Sequence, residues 1–158
     1  KEQQRIISPK GTESNWVVDF RRAFLNSRAL DSCADVFWKY FDKEFRDLPL
    51  LTPPPADKDA RHARHLYTIL IDLPRVKAGR DTIQNALFYE NIGTGIHYVS
   101  LHLHPFYKNT YGFKDDDFPN AKFISDRTLS LPLSPKLTDE DVEDVIKAVK
   151  KVFLYYSR

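Results

Sequence analysis

A histidine- and tyrosine-rich segment, residues 92–107 (IGTGIHYVSLHLHPFY), holds the side chains of this sequence that are best suited to chemistry. Three of the five histidines, His97, His102 and His104, lie within eight residues of one another, and Tyr98 and Tyr107 lie beside them. Rings with polar tips are costly in a strand unless they face water or a ligand. We therefore expect a functional site of this chain to include this segment.

The pair His102 and His104 raises a metal-binding alternative. On a strand, which we predict over residues 96–103, side chains two positions apart share a face, so both imidazoles could reach one ion. His97 would point to the opposite face, and a third ligand would have to come from His62 or His65. Histidines that line a pocket are the simpler interpretation, and we predict no metal site.

Other signatures of catalysis are missing from the sequence. It contains no G-x-S-x-G, no phosphate-binding P-loop, no G-x-G-x-x-G and no H-E-x-x-H. The bare G-x-G at residues 93–95 leads into a predicted strand, and we expect it to serve as a hinge there. The acidic run at residues 115–117 lacks the glycine and terminal glutamate of a calcium loop, so a solvated loop is expected. Lys10, Lys39 and Lys43 have no motif context and are expected at the surface.

The composition narrows the class of protein. The 158 residues are 42% hydrophobic and 29% charged, as in one globular domain. The balance of 24 basic and 22 acidic residues gives no basis for binding nucleic acid. One cysteine, Cys33, fits a reducing compartment, and neither a signal segment nor a membrane-length apolar run is visible. These features predict a cytoplasmic protein without membrane contact. The absence of Met, even at position 1, suggests a piece of a longer protein.

Hydrophobic periodicity predicts an alternation of helices and strands. The predicted elements are a helix at 29–47, a strand at 65–73, a helix at 79–91, a strand at 96–103, a short helix or turn at 118–127, a strand at 128–133 with Pro132 near its end, and a helix starting after Thr138. The first helix would bury Cys33 on its apolar face as an inert thiol, and Val36 and Tyr40 are expected on the same face. Thr138 is expected to cap the last helix, whose apolar stripe begins at Val142 and recurs at three- and four-residue steps. Residues 16–25 are ambiguous and favour a helix.

These elements predict an α/β (α+β) fold, a small sheet of three to four strands with helices packed on it. Residues 1–28 are expected to be a lead-in or linker, and residues 29–158 the domain, with 29–47 as its connector helix. Three strands are few for a chain of this length. We therefore expect the small domain of a two-domain protein.

Residues 65–153 resemble the C-terminal domain of the DegT/DnrJ/EryC1/StrS family of pyridoxal-phosphate-dependent nucleotide-sugar aminotransferases. The segments that carry the resemblance are HLYTILID (65–72), ENIGTGIHY (90–98), HYVSLHLHPFY (97–107), FPNAKFISDRTLSLPLSPKLT (118–138) and DEDVEDVIKAVKKVF (139–153). Ninety residues of motifs in this order are a specific signal. The resemblance implies the small domain of a fold-type I aminotransferase.

The resemblance also implies a function for the chemistry-bearing segment. In the family the large domain holds pyridoxal 5'-phosphate on a lysine, and the C-terminal domain closes over a nucleotide-linked sugar. By this resemblance Tyr98 and His102 are the first candidates for substrate contact, followed by His97 and Tyr107. The implied partners are a UDP- or dTDP-linked keto-sugar, an amino-acid donor and a second subunit of a homodimer.

The sequence departs from the family pattern, and the departures limit the activity expected of this chain alone. Ser100 stands where proline is common in the family and His104 where glutamine is common. No motif for a Schiff-base lysine or for a partner of the cofactor ring is recognisable, so this chain alone is expected to hold no cofactor and to be inactive. Two alternatives remain open: a non-catalytic nucleotide-sugar-binding or dimerisation module, and a structural domain in which the histidines and tyrosines only pack.

Overall fold

The computed structural model describes residues 27–55, 58–59, 62–134 and 136–158. The helices are α1 (Ser27–Glu44), α2 (Arg80–Tyr89), α3 (Pro105–Tyr111), α4 (Pro119–Ser125) and α5 (Asp139–Tyr156), and the strands are β1 (Leu50–Leu51), β2 (Tyr67–Ile71) and β3 (Thr128–Leu131). Single 3-10 turns cover Leu73–Arg75 and Leu101–Leu103. The predicted helix within residues 16–25 lies outside the described residues.

The sheet is antiparallel in the order β1-β2-β3. Tyr67, Ile69 and Ile71 of β2 are fully buried, and the residues between them are half-buried, as expected for a central strand with a core face. Gly95 adds one isolated bridge to Ser130 on the far side of β3. Pro132 follows the last residue of β3, which confirms its predicted place at a strand end.

The core between α1 and the sheet is built from aromatic rings. The Phe41 ring stacks on Phe45 at 5.3 Å and meets the edge of Tyr67 at 5.0 Å between centroids. Trp38 packs against Tyr67 at 5.1 Å. The Tyr67 hydroxyl donates to Asp42 Oδ1 at 2.6 Å, and burial together with this carboxylate raises the pKa of the Tyr67 phenol above its ordinary value. The only polar atom of this ring is therefore satisfied.

Helix α5 covers the other part of the core. Its predicted apolar stripe is confirmed, because the side chains that recur at three- and four-residue steps are buried: Val142, Val145, Ile146, Val149, Val152 and Phe153. Thr138 accepts a hydrogen bond from the Asp141 backbone N–H at 3.1 Å, and Asp141 accepts one from the Thr138 N–H at 2.9 Å. This capping box explains why the helix begins where the sequence predicts.

Helix α1 differs from its prediction in both its ends and its buried face. It runs over Ser27–Glu44, and the chain then turns toward β1. Val36 and Tyr40 were expected in the core but are 48% and 54% exposed, whereas Trp38 is buried. The apolar face of this helix is wide, so periodicity did not decide which part of that face packs on the sheet. The side chain of Cys33 lies outside the described residues.

The predicted strand at 96–103 is wrong. Residues 96–100 form no regular pairing after the single bridge at Gly95, and a 3-10 turn begins at Leu101. Pro105 then opens α3, an element missing from the prediction, and proline suits the first turn of a helix because it lacks an N–H. The alternating pattern of the segment resembled a strand, but tertiary contacts decided its path.

An ion pair joins α1 to α5. It predicts that the stability of the fold depends on pH. Lys150 Nζ donates to Glu44 Oε2, and this hydrogen bond and charge lower the pKa of Glu44 from its ordinary value of 4.5. Folding lowers the pKa of this carboxyl, so its ionised form stabilises the folded state at any pH above the pKa of the unfolded chain. This stabilisation is lost as the pH falls through the lower pKa of the folded state. Glu44→Gln should therefore be less stable than the parent at pH 7, and the difference should vanish in acid.

Urea unfolding of both proteins across this pH range would measure the effect. Glu143→Gln is the control, because Glu143 is exposed and pairs with Lys147 within the same helix. A Glu44→Gln deficit that stayed constant into acid would contradict the assignment.

Candidate functional site

His97 and Tyr98 lie side by side on the extended segment that follows Gly95. Their rings meet edge to face with centroids 4.9 Å apart. The His97 ring is half-buried, whereas Tyr98 is 74% exposed. An exposed phenol beside a partly buried imidazole offers a ligand both a hydrogen-bonding tip and a flat apolar surface.

A pair of hydroxyl groups in the sheet holds the His97 ring. His97 Nδ1 lies 2.8 Å from Ser130 Oγ, and Ser130 Oγ lies 3.0 Å from Thr68 Oγ1. Thr68 and Ser130 are direct cross-strand partners on β2 and β3. Ser130 is buried, so its hydroxyl needs partners within the protein, and His97 and Thr68 supply them.

Gly95 provides the space in which the His97 ring sits. Gly95 and Ser130 exchange two backbone hydrogen bonds, of 3.0 and 2.8 Å. A Cβ atom at Gly95 would lie 2.6 Å from His97 Cε1, closer than non-bonded carbons approach. A side chain at Gly95 would therefore displace the imidazole two residues further on. The sequence predicted a hinge at this position, and the structure shows a close contact.

His102 is placed differently from His97. It is 4% exposed, its Nε2 lies 3.1 Å from the Asp115 carbonyl oxygen, and its ring lies 5.0 Å from the Phe118 ring. His104 Nε2 instead lies 3.3 Å from the Val99 carbonyl oxygen. Each imidazole thus bonds to a different part of the backbone, and the expectation that they share one face of a strand is wrong.

Tyr107 belongs to a row of aromatic rings that ends at His102. The half-buried Tyr107 ring contacts Tyr111 at 6.2 Å, and the row continues through Phe113 and Phe118 with centroid spacings of 5.6 and 5.3 Å. Lys108 Nζ lies 2.5 Å from Asp115 Oδ1, and this cation lowers the pKa of the Asp115 carboxyl. The row and the ion pair together hold the loop of residues 101–118 in shape.

Ser100 links this loop to α4. Its backbone N–H donates to Ser125 Oγ at 3.1 Å, and its own hydroxyl donates to the Ala121 carbonyl oxygen at 2.7 Å. Proline at this position could make neither bond, since it lacks both groups. The serine that replaces the common proline therefore attaches this segment to α4 in this chain.

The sequence prediction missed Ser130 and Thr68 as members of this site. Both are polar residues inside segments that the sequence predicts to be strands. A buried hydroxyl needs a partner, and that requirement was the available signal. Within the described residues, no group of three histidine, cysteine or acidic side chains is arranged to hold a metal ion.

The described lysines do not form a site for pyridoxal phosphate. A lysine that forms a Schiff base is normally desolvated or lies beside another cation, which lowers its pKa. Here the described lysines are exposed except for Lys108, Lys122 and Lys150, which are half-buried and paired with carboxylates. The pKa of Lys122 is raised by its hydrogen bond to Asp126. None of the described lysines therefore has the environment expected of a Schiff-base lysine.

Comparison with known proteins places this fold and these motifs in one family. The DegT/DnrJ/EryC1/StrS aminotransferase family matches residues 33–150. The chain is 47% identical over 114 residues to the uncharacterized protein MJ1066 of Methanocaldococcus jannaschii, and 42% identical over 113 residues to the spore coat polysaccharide biosynthesis protein SpsC of Bacillus subtilis. These alignments cover 72% and 71% of this chain but 30% and 29% of the relatives.

A solved structure agrees with the sequence relatives. Spr1654 of Streptococcus pneumoniae, assigned as a sugar aminotransferase and solved in its PLP form, superposes with a TM-score of 0.72 at 26% identity. The match covers 81% of this chain and 32% of Spr1654, and confirms the expected fold class. None of the described helices is both long and apolar enough to span a membrane. The chain is a member of the DegT/DnrJ/EryC1/StrS aminotransferase family and spans about a third of the length of its relatives.

Proposed function

We propose that this chain is the substrate-closing, C-terminal part of a pyridoxal-phosphate-dependent aminotransferase that aminates a nucleotide-linked keto-sugar. The family match and the partial coverage of the relatives support this proposal. The observation that carries it is the pair of rings at His97 and Tyr98, one anchored through Nδ1 and the other exposed. Such a pair suits a sugar, which presents both hydroxyl groups and apolar C–H faces.

Within this proposal the predicted site residues take different roles. Tyr98 and His97 contact the sugar or its phosphates. Tyr107 extends the contact surface from α3. His102, whose Nε2 is bonded to the backbone at Asp115, fixes the loop that carries Tyr107 and acts on substrate through that loop. Residues outside this chain would hold the cofactor and its lysine, because the described lysines do not fit them.

Exposed apolar side chains follow His97 and Tyr98 in the sequence. They support the proposal that this part of the surface is covered in the complete enzyme. Val99, Leu101 and Phe106 are 40%, 65% and 66% exposed on the same stretch of chain as Tyr98. Apolar residues that cluster at a surface mark contact sites. We propose that the substrate and the rest of a homodimeric, cytoplasmic enzyme cover them, with an amino acid as the second substrate.

Titration of the 158-residue chain with UDP- and dTDP-sugars tests this function. Calorimetry should detect binding, and Tyr98→Ala should weaken it about tenfold, which corresponds to the loss of one good hydrogen bond with its ring contact. Tyr155→Ala is the matched control, because Tyr155 is 76% exposed on α5. Equal affinity of the Tyr98→Ala and parent chains would contradict the assignment of Tyr98.

A parallel titration with pyridoxal phosphate tests whether this chain binds the cofactor or only the substrate. We expect no new absorbance band from a lysine adduct, since the described lysines lack a desolvated site. A stoichiometric adduct that survived dilution would show that this chain binds the cofactor itself. Sugar-nucleotide binding without such an adduct would support a detached substrate domain.

A further inference from the structure

Three positions form one row that runs from β2 across β3 to the bridge at Gly95. Thr68 on β2 pairs with Ser130 on β3, and Ser130 pairs in turn with Gly95. Cross-strand partners present their side chains on the same face. Gly95 has no side chain, and the ring of His97 lies where a side chain at Gly95 would project. The imidazole therefore occupies the third place in a row of polar side chains.

We propose that Ser130 and Thr68 are positioning residues that fix the orientation of the His97 ring and make Nε2 the nitrogen that meets the ligand. The hydroxyl of Ser130 lies within hydrogen-bonding distance of both Thr68 Oγ1 and His97 Nδ1. Because Nδ1 is engaged by the sheet, Nε2 is the ring nitrogen left to face a substrate. The ligand part of this inference rests on the proposed function, whereas the ring position does not.

The two hydroxyl groups can serve His97 in either of its neutral forms. When Ser130 donates to Nδ1, the proton of the imidazole resides on Nε2, which becomes a donor toward the ligand. When Nδ1–H donates to Ser130, the Ser130 hydroxyl donates to Thr68, and Nε2 becomes an acceptor. A sugar hydroxyl or a phosphate oxygen can thus be matched without movement of the ring. The change requires rotation of the two hydroxyl groups and a change of imidazole tautomer, in which solvent takes the proton from Nε2 and supplies one to Nδ1.

The strands give this arrangement its rigidity. Ser130 is 4% exposed on a strand whose residues are all buried, and Thr68 is half-buried on the central strand. Thr68 is β-branched and therefore has few accessible rotamers, and burial restricts the side chain of Ser130. A ring held by such groups keeps one orientation, which is what a recognition site requires of its contact residues.

Nitrogen-15 NMR of the His97 ring in the 158-residue chain tests the positioning role directly. Ser130→Ala should change the Nδ1 and Nε2 shifts of His97, and should weaken binding of dTDP-glucose or UDP-glucose about tenfold, the loss expected for one hydrogen bond to a contact residue. Thr68→Val should weaken binding by a smaller factor. Thr68→Ser, which keeps the hydroxyl, should restore the parent shifts and affinity.

Thr128→Val is the matched control for these substitutions. Thr128 lies on the same strand as Ser130, is fully buried, and its hydroxyl has no hydrogen-bond partner among the described residues. Loss of that hydroxyl should leave the His97 shifts and the ligand affinity unchanged, and circular dichroism would verify the fold of each variant. This control separates removal of a hydroxyl from removal of the His97 contact.

The outcomes distinguish the two proposals. Unchanged His97 shifts in a folded Ser130→Ala chain would overturn the positioning role. Changed shifts in Ser130→Ala, together with a parent chain that binds neither nucleotide sugar, would uphold the positioning role and count against the proposed function. Equal loss of affinity in Thr68→Val and Thr68→Ser would also overturn the hydroxyl chain, since only one of them lacks the hydroxyl.

Discussion

Phe41→Ala is expected to lower the free energy of unfolding by about 3–5 kcal/mol, the range for removal of a buried aromatic ring. Phe41 is fully buried and contacts the rings of Phe45 and Tyr67. The cavity would open between α1 and the central strand, where rigid rings cannot collapse into it. Urea unfolding followed by fluorescence or circular dichroism, with the m-value checked for constancy, would measure the loss.

Tyr40→Ala is the control for this substitution. Tyr40 precedes Phe41 on the same helix but is 54% exposed, so its removal leaves little new cavity. The expected change in the free energy of unfolding is about 0.5 kcal/mol or less. A loss below about 1 kcal/mol in Phe41→Ala, or equal losses in the two variants, would mean that α1 does not pack on the sheet as described.

Gly95→Ala is expected to destabilise the chain by about 1–3 kcal/mol, as overpacking of a filled site does. The new methyl group would meet Cε1 of His97 at 2.6 Å, so the ring or the backbone would have to move. Movement of the ring would also break its hydrogen bond to Ser130. Urea unfolding would measure the first effect, and the His97 ring shifts in nitrogen-15 NMR would measure the second.

Gly93→Ala provides a control two residues away in the same motif. A Cβ atom at Gly93 would meet nothing within 4 Å. Alanine restricts the unfolded chain more than glycine does, so this variant should be unchanged or more stable by up to about 1 kcal/mol. If Gly95→Ala proved as stable as Gly93→Ala, the close contact of His97 with Gly95 would be refuted.

Local patterns in the sequence predicted the elements whose structure depends on near neighbours. The apolar stripe of α5 and the capping role of Thr138 follow from spacings of three and four residues, which a helix brings together wherever it forms. The ends of strands β2 and β3 were predicted to within two residues. The family was also predicted, because its motifs occur in a long and ordered series.

Other features depended on contacts between residues that are far apart in the chain. Residues 96–103 have the alternation of a strand, but the hydrogen bond of His102 to Asp115 and the bonds of Ser100 to α4 draw them into a loop. The apolar face of helix α1 is wide, so only packing on the sheet decided that Trp38 is buried and Tyr40 exposed.

The candidate site shows the same division. The sequence by itself determined that the rings at positions 97, 98, 102 and 107 belong to one segment, and that this segment carries the family motif. Only the tertiary structure decided which ring is anchored and by what. Ser130 is 33 residues from His97 and 62 from Thr68, and hydrogen bonds over such separations arise from strand register, which no local pattern encodes.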